Sequence, residues 1–190
     1  MKLVFASNNK NKIQEIRHQL PDDIELLSLE DIGCHEDIPE TADTIEGNAI
    51  LKADYVTQNY GYDCFADDTG LEVDALNGAP GVYSARYAGE QKSAEDNMDK
   101  LLAALDGNTN RDARFKTVIA LNRNGKQHLF TGIVNGVITT EKTGKEGFGY
   151  DPVFKPEGLD FTFAQISITE KARLSHRGRA VSQLVDFLKS

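Results

Sequence analysis

The pattern that most constrains this chain is an early alternation of short apolar runs with helical periods, broken later by a β-rich middle. Lys2–Ala6 reads as a short buried strand, and the segment after it carries Ile13, Ile16 and Leu20 at helical spacing before Pro21 stops it. Ile24–Leu29 is a second strand. A helix from about Ile45 to Tyr60 places Ala49, Ala53, Val56 and Tyr60 on one face, with Gly61 as its stop. Asp63–Asp67 is then a strand running into Asp68-Thr69-Gly70, and Leu71–Val73 continues it. After the turn-rich Gly78-Ala79-Pro80-Gly81, Ser93 caps a helix whose buried stripe is Met98, Leu101, Leu102 and Leu105, ended by Gly107. Ala113–Leu121 and Gln127–Val134 flank Asn122-Arg123-Asn124-Gly125-Lys126, a hairpin signal. A last helix runs from about Gly178 to Lys189, burying Val181, Leu184, Val185 and Leu188. The expected fold is α/β: a mixed, elongated central sheet flanked by helices, within a single domain over residues 1–190. Two lobes with an active-site cleft between them suit the charge distribution.

That distribution is uneven. The formal net charge of −9 argues against a nucleic-acid binder. Yet Lys2, Lys10, Lys12 and Arg17 crowd the N-terminus, while Lys171, Arg173, His176, Arg177 and Arg179 crowd the C-terminus. Two basic clusters on an acidic protein point to a small anionic ligand held partly through a metal; two solvated helix faces are the alternative. Cys34 and Cys64 form no CxxC pair, and two free thiols fit a reducing compartment better than a lone disulfide does. The N-terminal apolar run is too short for a signal peptide and no stretch is apolar for long enough to span a bilayer, so a cytoplasmic protein is expected.

Four constellations carry candidate chemistry. Ser7-Asn8-Asn9-Lys10-Asn11-Lys12 lies between a strand and a helix, where polar side chains, backbone N–H groups and the helix dipole suit a phosphate; it lacks the glycines of a P-loop, and a plain helix cap is the alternative. Asp67 and Asp68 at a strand end, with Glu40 as a further ligand, suit Mg²⁺, whose other positions go to water and phosphates. An Asp-rich turn satisfying its own backbone is the competing reading. In Gly147-Phe148-Gly149-Tyr150-Asp151-Pro152, two glycines beside two aromatics allow a close approach and a flat stacking surface for a base, or a turn packed on its own rings. Ser175-His176-Arg177-Gly178 puts donors at a helix start, where positive charge opposes the dipole and an acceptor ligand would relieve it; exposed arginines at helix starts are the ordinary explanation.

Taken together and in order, these segments resemble the inosine triphosphate pyrophosphatase family. Its motifs match Ser7, Asn9 and Lys12; Glu40-Thr41 and Asn48-Ala49-Ile50-Leu51-Lys52-Ala53; Ala66–Leu71; Gly78–Tyr87; Gly147–Pro152; and Ser175–Gly178, across essentially the whole chain. One departure is Ala42, where the family often has Gly, which touches local loop geometry. The resemblance implies hydrolysis of ITP, dITP and XTP to the monophosphate and pyrophosphate, cleansing the nucleotide pool. It implies Asp68 as proton acceptor and metal residue, with Glu40 and Asp67 as further metal residues. Mg²⁺ is the expected ion and Mn²⁺ the alternative. Substrate would be held by Ser7, Asn8, Asn9, Lys10, Asn11, Lys12, Lys52, Thr69, Phe148, Gly149, Tyr150, Asp151, Lys171, His176 and Arg177. A homodimer is implied as well, with small-molecule nucleotides, rather than nucleic acid or membrane, as partners. A related pyrophosphatase of the septum-formation-inhibitor type, acting on pyrimidine or modified nucleotides, is the nearest competing family; the Ser-His-Arg-Gly and Phe-Gly-Tyr-Asp motifs favour the purine enzyme.

Overall fold

A computed structural model describes residues 1–190. Strand β1 (Lys2–Phe5) leads through α1 (Lys10–Arg17) to β2 (Glu25–Leu27), and α2 (Ile45–Tyr60) leads to β3 (Cys64–Val73). β1 pairs in parallel with both β2 and β3, as strands joined by helical crossovers must. The short β4 (Pro80–Gly81) lies antiparallel to β3. After α3 (Ala94–Ala104), β5 (Asp112–Arg123) and β6 (Lys126–Ile138) are joined by Asn124 and Gly125, both at positive φ (52° and 73°), as a two-residue hairpin turn requires. β7 (Phe154–Pro156) lies antiparallel to β6, and α4 (Ile168–Leu174) and α5 (His176–Lys189) complete the chain. The seven strands form one mixed sheet in the order β2-β1-β3-β5-β6-β7, with β4 on β3. The α/β reading with a mixed sheet therefore holds.

The residues group into two compact units. One comprises Met1–Asp68, Thr117–Gly132 and Arg177–Ser190; the other comprises Thr69–Lys116 and Ile133–His176. The first has its own core, in which Leu3, Phe5 and Phe65 of the sheet pack with Ile16 of α1 and Val181 and Leu184 of α5. The Phe5 and Phe65 rings stack at 4.8 Å. The core of the second is built on Leu71, Leu101, Leu105, Phe115, Phe154 and Phe163, with the Phe115 and Phe154 rings edge to face at 4.6 Å. Each such fully buried side chain stabilises its unit by about 1.5–3 kcal/mol.

Local signals placed most elements correctly. Ser93 accepts from the Asp96 N–H at the start of α3, and Gly61 ends α2 in the left-handed conformation at φ 73°. Several features differ from the sequence reading, among them the strands β4 and β7. α1 stops at Arg17, and Leu20 reaches the core from the following turn. β2 is three residues long, not six. α4 is an additional helix; its Ser167 and Glu170 form a reciprocal capping box, a signature present in the sequence. Most consequentially, Asp67-Asp68-Thr69-Gly70 does not end a strand: β3 runs through it without a break, so two aspartates stand in mid-strand, against their usual preference.

Candidate active site

In the first unit the chain leaves β1 at Ala6 and enters α1 through the loop predicted to hold phosphate. Asn9 is the N-cap: its side chain accepts from the N–H groups of Asn11 (3.0 Å) and Lys12 (3.2 Å), while Ser7 Oγ accepts from the Asn9 N–H. The cap thus takes up two of the helix's open donors. The side chains of Asn8, Asn9, Lys10 and Asn11 are exposed, whereas Lys12 turns inward.

Lys12 Nζ meets Asp67 Oδ1 at 3.2 Å, and Arg177 Nε reaches Asp67 Oδ2 at 3.1 Å. Arg177, the largest fully buried side chain, also donates through Nη1 to Glu15, itself buried on α1. Asp67 is wholly buried; these cations outweigh the cost of burial and hold its carboxyl well below the usual range. Like charges on adjacent mid-strand aspartates are tolerated because of such partners. The excess positive charge at the start of α5, unfavourable for the helix alone, is likewise neutralised by Glu15 and Asp67. The solvated-face alternative does not hold for Lys171, His176 or Arg177, all of them buried.

Asp68 is in a different state. Side chains alternate along a strand, so it projects to the face opposite Asp67. Its Oδ1 lies 3.8 Å from Lys52 Nζ, and its Oδ2 is buried with no hydrogen-bond partner. Burial pushes its pKa from 3.8 up to about 6, against the opposing pull of Lys52 and Lys12. Lys52 donates to the Asp67 carbonyl at 2.6 Å and to Glu40 Oε1 at 3.0 Å, so a single ammonium stands beside the Glu40 and Asp68 carboxylates. No three His, Cys, Asp or Glu side chains gather closely enough to hold an ion unaided. The available set is hard oxygen: an unpartnered, buried Asp68 oxygen with Glu40 beside the same lysine. That fits Mg²⁺, which binds proteins through one or two carboxylates and takes its other ligands from water and phosphates. Asp67 has one oxygen on Lys12 and the other on Arg177.

In the second unit the glycine-aromatic turn closes on itself through Asp151. The buried Asp151 carboxylate accepts from the Phe148 N–H at 3.0 Å and from Lys171 Nζ at 2.6 Å. Gly147 sits at φ 69°, and a Cβ there would run into the Asp151 carboxylate. Lys171 Nζ lies 4.6 Å from the centre of the Phe148 ring, a cation–π contact. Tyr150 donates its hydroxyl to the Ser84 carbonyl at 2.7 Å, and His176 stacks on Phe115 at 4.5 Å. Phe148, Gly149, Tyr150, Asp151 and Lys171 are thereby brought together. Thr69 and His176 belong to the same unit.

The structure adds two residues that the sequence reading passed over. Glu15 carries no sequence signal, being one acidic residue among thirty until Arg177 arrives beside it. Ser84 lay within a quoted motif without a role; its Oγ accepts from the buried Leu71 N–H of β3 at 2.9 Å and its carbonyl receives Tyr150.

The chain is 71% identical to the dITP/XTP pyrophosphatase of Flavobacterium psychrophilum over 190 residues, covering all of both chains. It is 72% identical to that of Flavobacterium johnsoniae over 188 residues, or 99% of this chain and 98% of the relative. The solved Ham1 protein of Staphylococcus aureus superposes with a TM-score of 0.91 at 43% identity, covering 100% of this chain and 98% of that one. The model of the Ham1 family matches residues 3–187, and the chain belongs to that family.

Proposed function

We propose that this protein hydrolyses non-standard purine nucleoside triphosphates, dITP and XTP together with ITP, to the monophosphate and pyrophosphate. The observation that carries the reading is the Asp68 carboxylate: buried, with an unpartnered oxygen, beside Lys52 and Lys12. A carboxylate in that state is placed to orient a water and take its proton while the α-phosphorus is attacked. Lys12 and Lys52, with Ser7, Asn9 and the exposed loop side chains of Asn8, Lys10 and Asn11, are assigned the phosphates, and Thr69 is assigned to the substrate as well. Asp68 and Glu40, with Asp67 as a further residue, would hold Mg²⁺, or Mn²⁺ in its place. The bound ion supplies charge neutralisation on the phosphates and the departing pyrophosphate. No covalent nucleophile is needed, since phosphoryl chemistry rests on positioning and electrostatics.

Base selection is assigned to Phe148–Asp151, Lys171, His176 and Arg177. Hypoxanthine and xanthine carry a 6-oxo acceptor where adenine carries an amino donor. A pocket of cationic donors therefore favours the oxo purines and leaves the adenine amine facing donors. Glu15 and Asp67 fix the Arg177 guanidinium in one orientation, which makes it a pre-set donor. No helix is long and apolar enough to cross a membrane, and a role in the nucleotide pool supports a cytoplasmic location. A homodimer, implied by the family resemblance, is checked by sedimentation. A panel of ITP, dITP, XTP, ATP, dTTP and UTP, with pyrophosphate detection in the presence and absence of Mg²⁺, tests the assignment. Metal-dependent pyrophosphate release from the oxo purines is expected; equal release from dTTP and UTP would overturn it.

A further inference from the structure

Glu40 lies on an exposed segment that has no regular structure from Asp37 to Ala42, so something must hold its carboxylate beside Lys52. Such a segment loses about 1–2 kcal/mol of backbone entropy per residue when fixed. Two features of the first turn of α2 anchor it. Asn48, buried with 2% of its surface exposed, accepts the Ala42 N–H on Oδ1 at 2.9 Å. One residue earlier, Gly47 leaves the space that Ala42 and Thr44 occupy: a Cβ at position 47 would lie 2.7 Å from Ala42 Cβ and 2.9 Å from Thr44 Oγ1. Thr44 in turn caps the same helix through the Gly47 N–H at 3.0 Å. Lys52 follows Asn48 by one helical turn, so anchor and ion-pair partner stand one above the other on one face.

We propose that Asn48 and Gly47 are positioning residues for Glu40: they fold the 40–44 segment onto the start of α2 and so set the distance between the Glu40 carboxylate and the Lys52–Asp68 pair. The departure at position 42 gains a physical reason. An alanine is accommodated there because its contact partner at 47 has no side chain, and the two positions form one packing unit.

The inference rests on the assignment of Glu40 to the metal, and the experiment separates the two. Glu40→Gln, Asn48→Ala and the double variant are compared by Mg²⁺ half-saturation, kcat, thermal midpoint and amide exchange of the metal-free protein. Asn48→Ala is expected to raise the Mg²⁺ half-saturation by about 10- to 100-fold, as loss of an orienting partner does. In metal-free protein it should speed exchange across 40–44 while residues 52–60 of α2 stay protected. The double variant should be no worse than Glu40→Gln alone, because a loop without its carboxylate has nothing to place. A wild-type Mg²⁺ response in Asn48→Ala, or losses that multiply in the double variant, would overturn the positioning role. If Glu40→Gln itself responds to Mg²⁺ as the wild type does, the assignment of Glu40 fails instead. Should Asn48→Ala not fold, Gly47→Ala supplies the same defect. Adding Ala42→Gly, which removes the opposing Cβ, should then restore at least part of the Mg²⁺ response, and no restoration would count against the packing unit.

Discussion

Replacing Asp68 with asparagine should make the metal-free protein more stable at neutral pH while removing its activity. Folding raises the Asp68 pKa from 3.8 to about 6, so the folded state binds this proton more tightly than the unfolded chain does. Well below pH 3.8 the residue is protonated in both states and contributes nothing to the pH dependence. Between about pH 4 and pH 6 the unfolded chain ionises while the folded protein keeps its proton, so stability falls, and above the folded pKa it levels off. At about 1.36 kcal/mol per pKa unit the full loss is about 3 kcal/mol by pH 8. Asparagine does not titrate, and every other group is common to both proteins. The stability gap between variant and wild type should therefore shift by about 2.4 kcal/mol in the variant's favour between pH 4 and pH 8, whatever its offset. Urea titrations in EDTA at intervals across that range read the gap directly; with a slope of 2–3 kcal/mol/M it appears as roughly 1 M in midpoint. Turnover in Mg²⁺ should drop by about 100-fold or more. A gap that stays constant with pH would refute the argument, because Asp68 would then not be the strained carboxyl that the structure places beside Lys52.

Three further outcomes are expected. Arg177→Ala should lower the preference for ITP over ATP by about tenfold, the loss of one hydrogen bond, when both are assayed on the same preparation; an unchanged ratio moves base reading elsewhere. Ser84→Ala should cost about 1–3 kcal/mol in urea titrations, since it strands the buried Leu71 N–H. The Tyr60 and Tyr55 hydroxyls hold the Glu36 pKa down from 4.5 to about 2, so its contribution is present above pH 4.5 and lost as the pH falls towards 2. Wild type should exceed Glu36→Gln in stability at pH 6, and the margin should close across that acid window.

Much of the molecule follows from local chemistry. The caps at Ser93 and Gly61 and the Asn124-Gly125 hairpin each have their cause within a few residues of chain, and so they can be read without a structure. The motif order likewise identified the family. Local preference fell short at Asp67-Asp68-Thr69-Gly70, where it put the end of a strand and the chain forms an unbroken one. The forces that reverse it come from far along the sequence: Lys12 is 55 residues from Asp67 and Arg177 is 110. The division of labour between the two aspartates also belongs to the tertiary structure alone. They are identical and adjacent in the sequence, yet the alternation of a strand sends one between two cations, where it stays ionised. The other goes to a buried position where an oxygen lacks a partner and the proton is held up to about pH 6. What each face of β3 meets after folding decides that Asp67 is held between cations and that Asp68 carries the raised pKa.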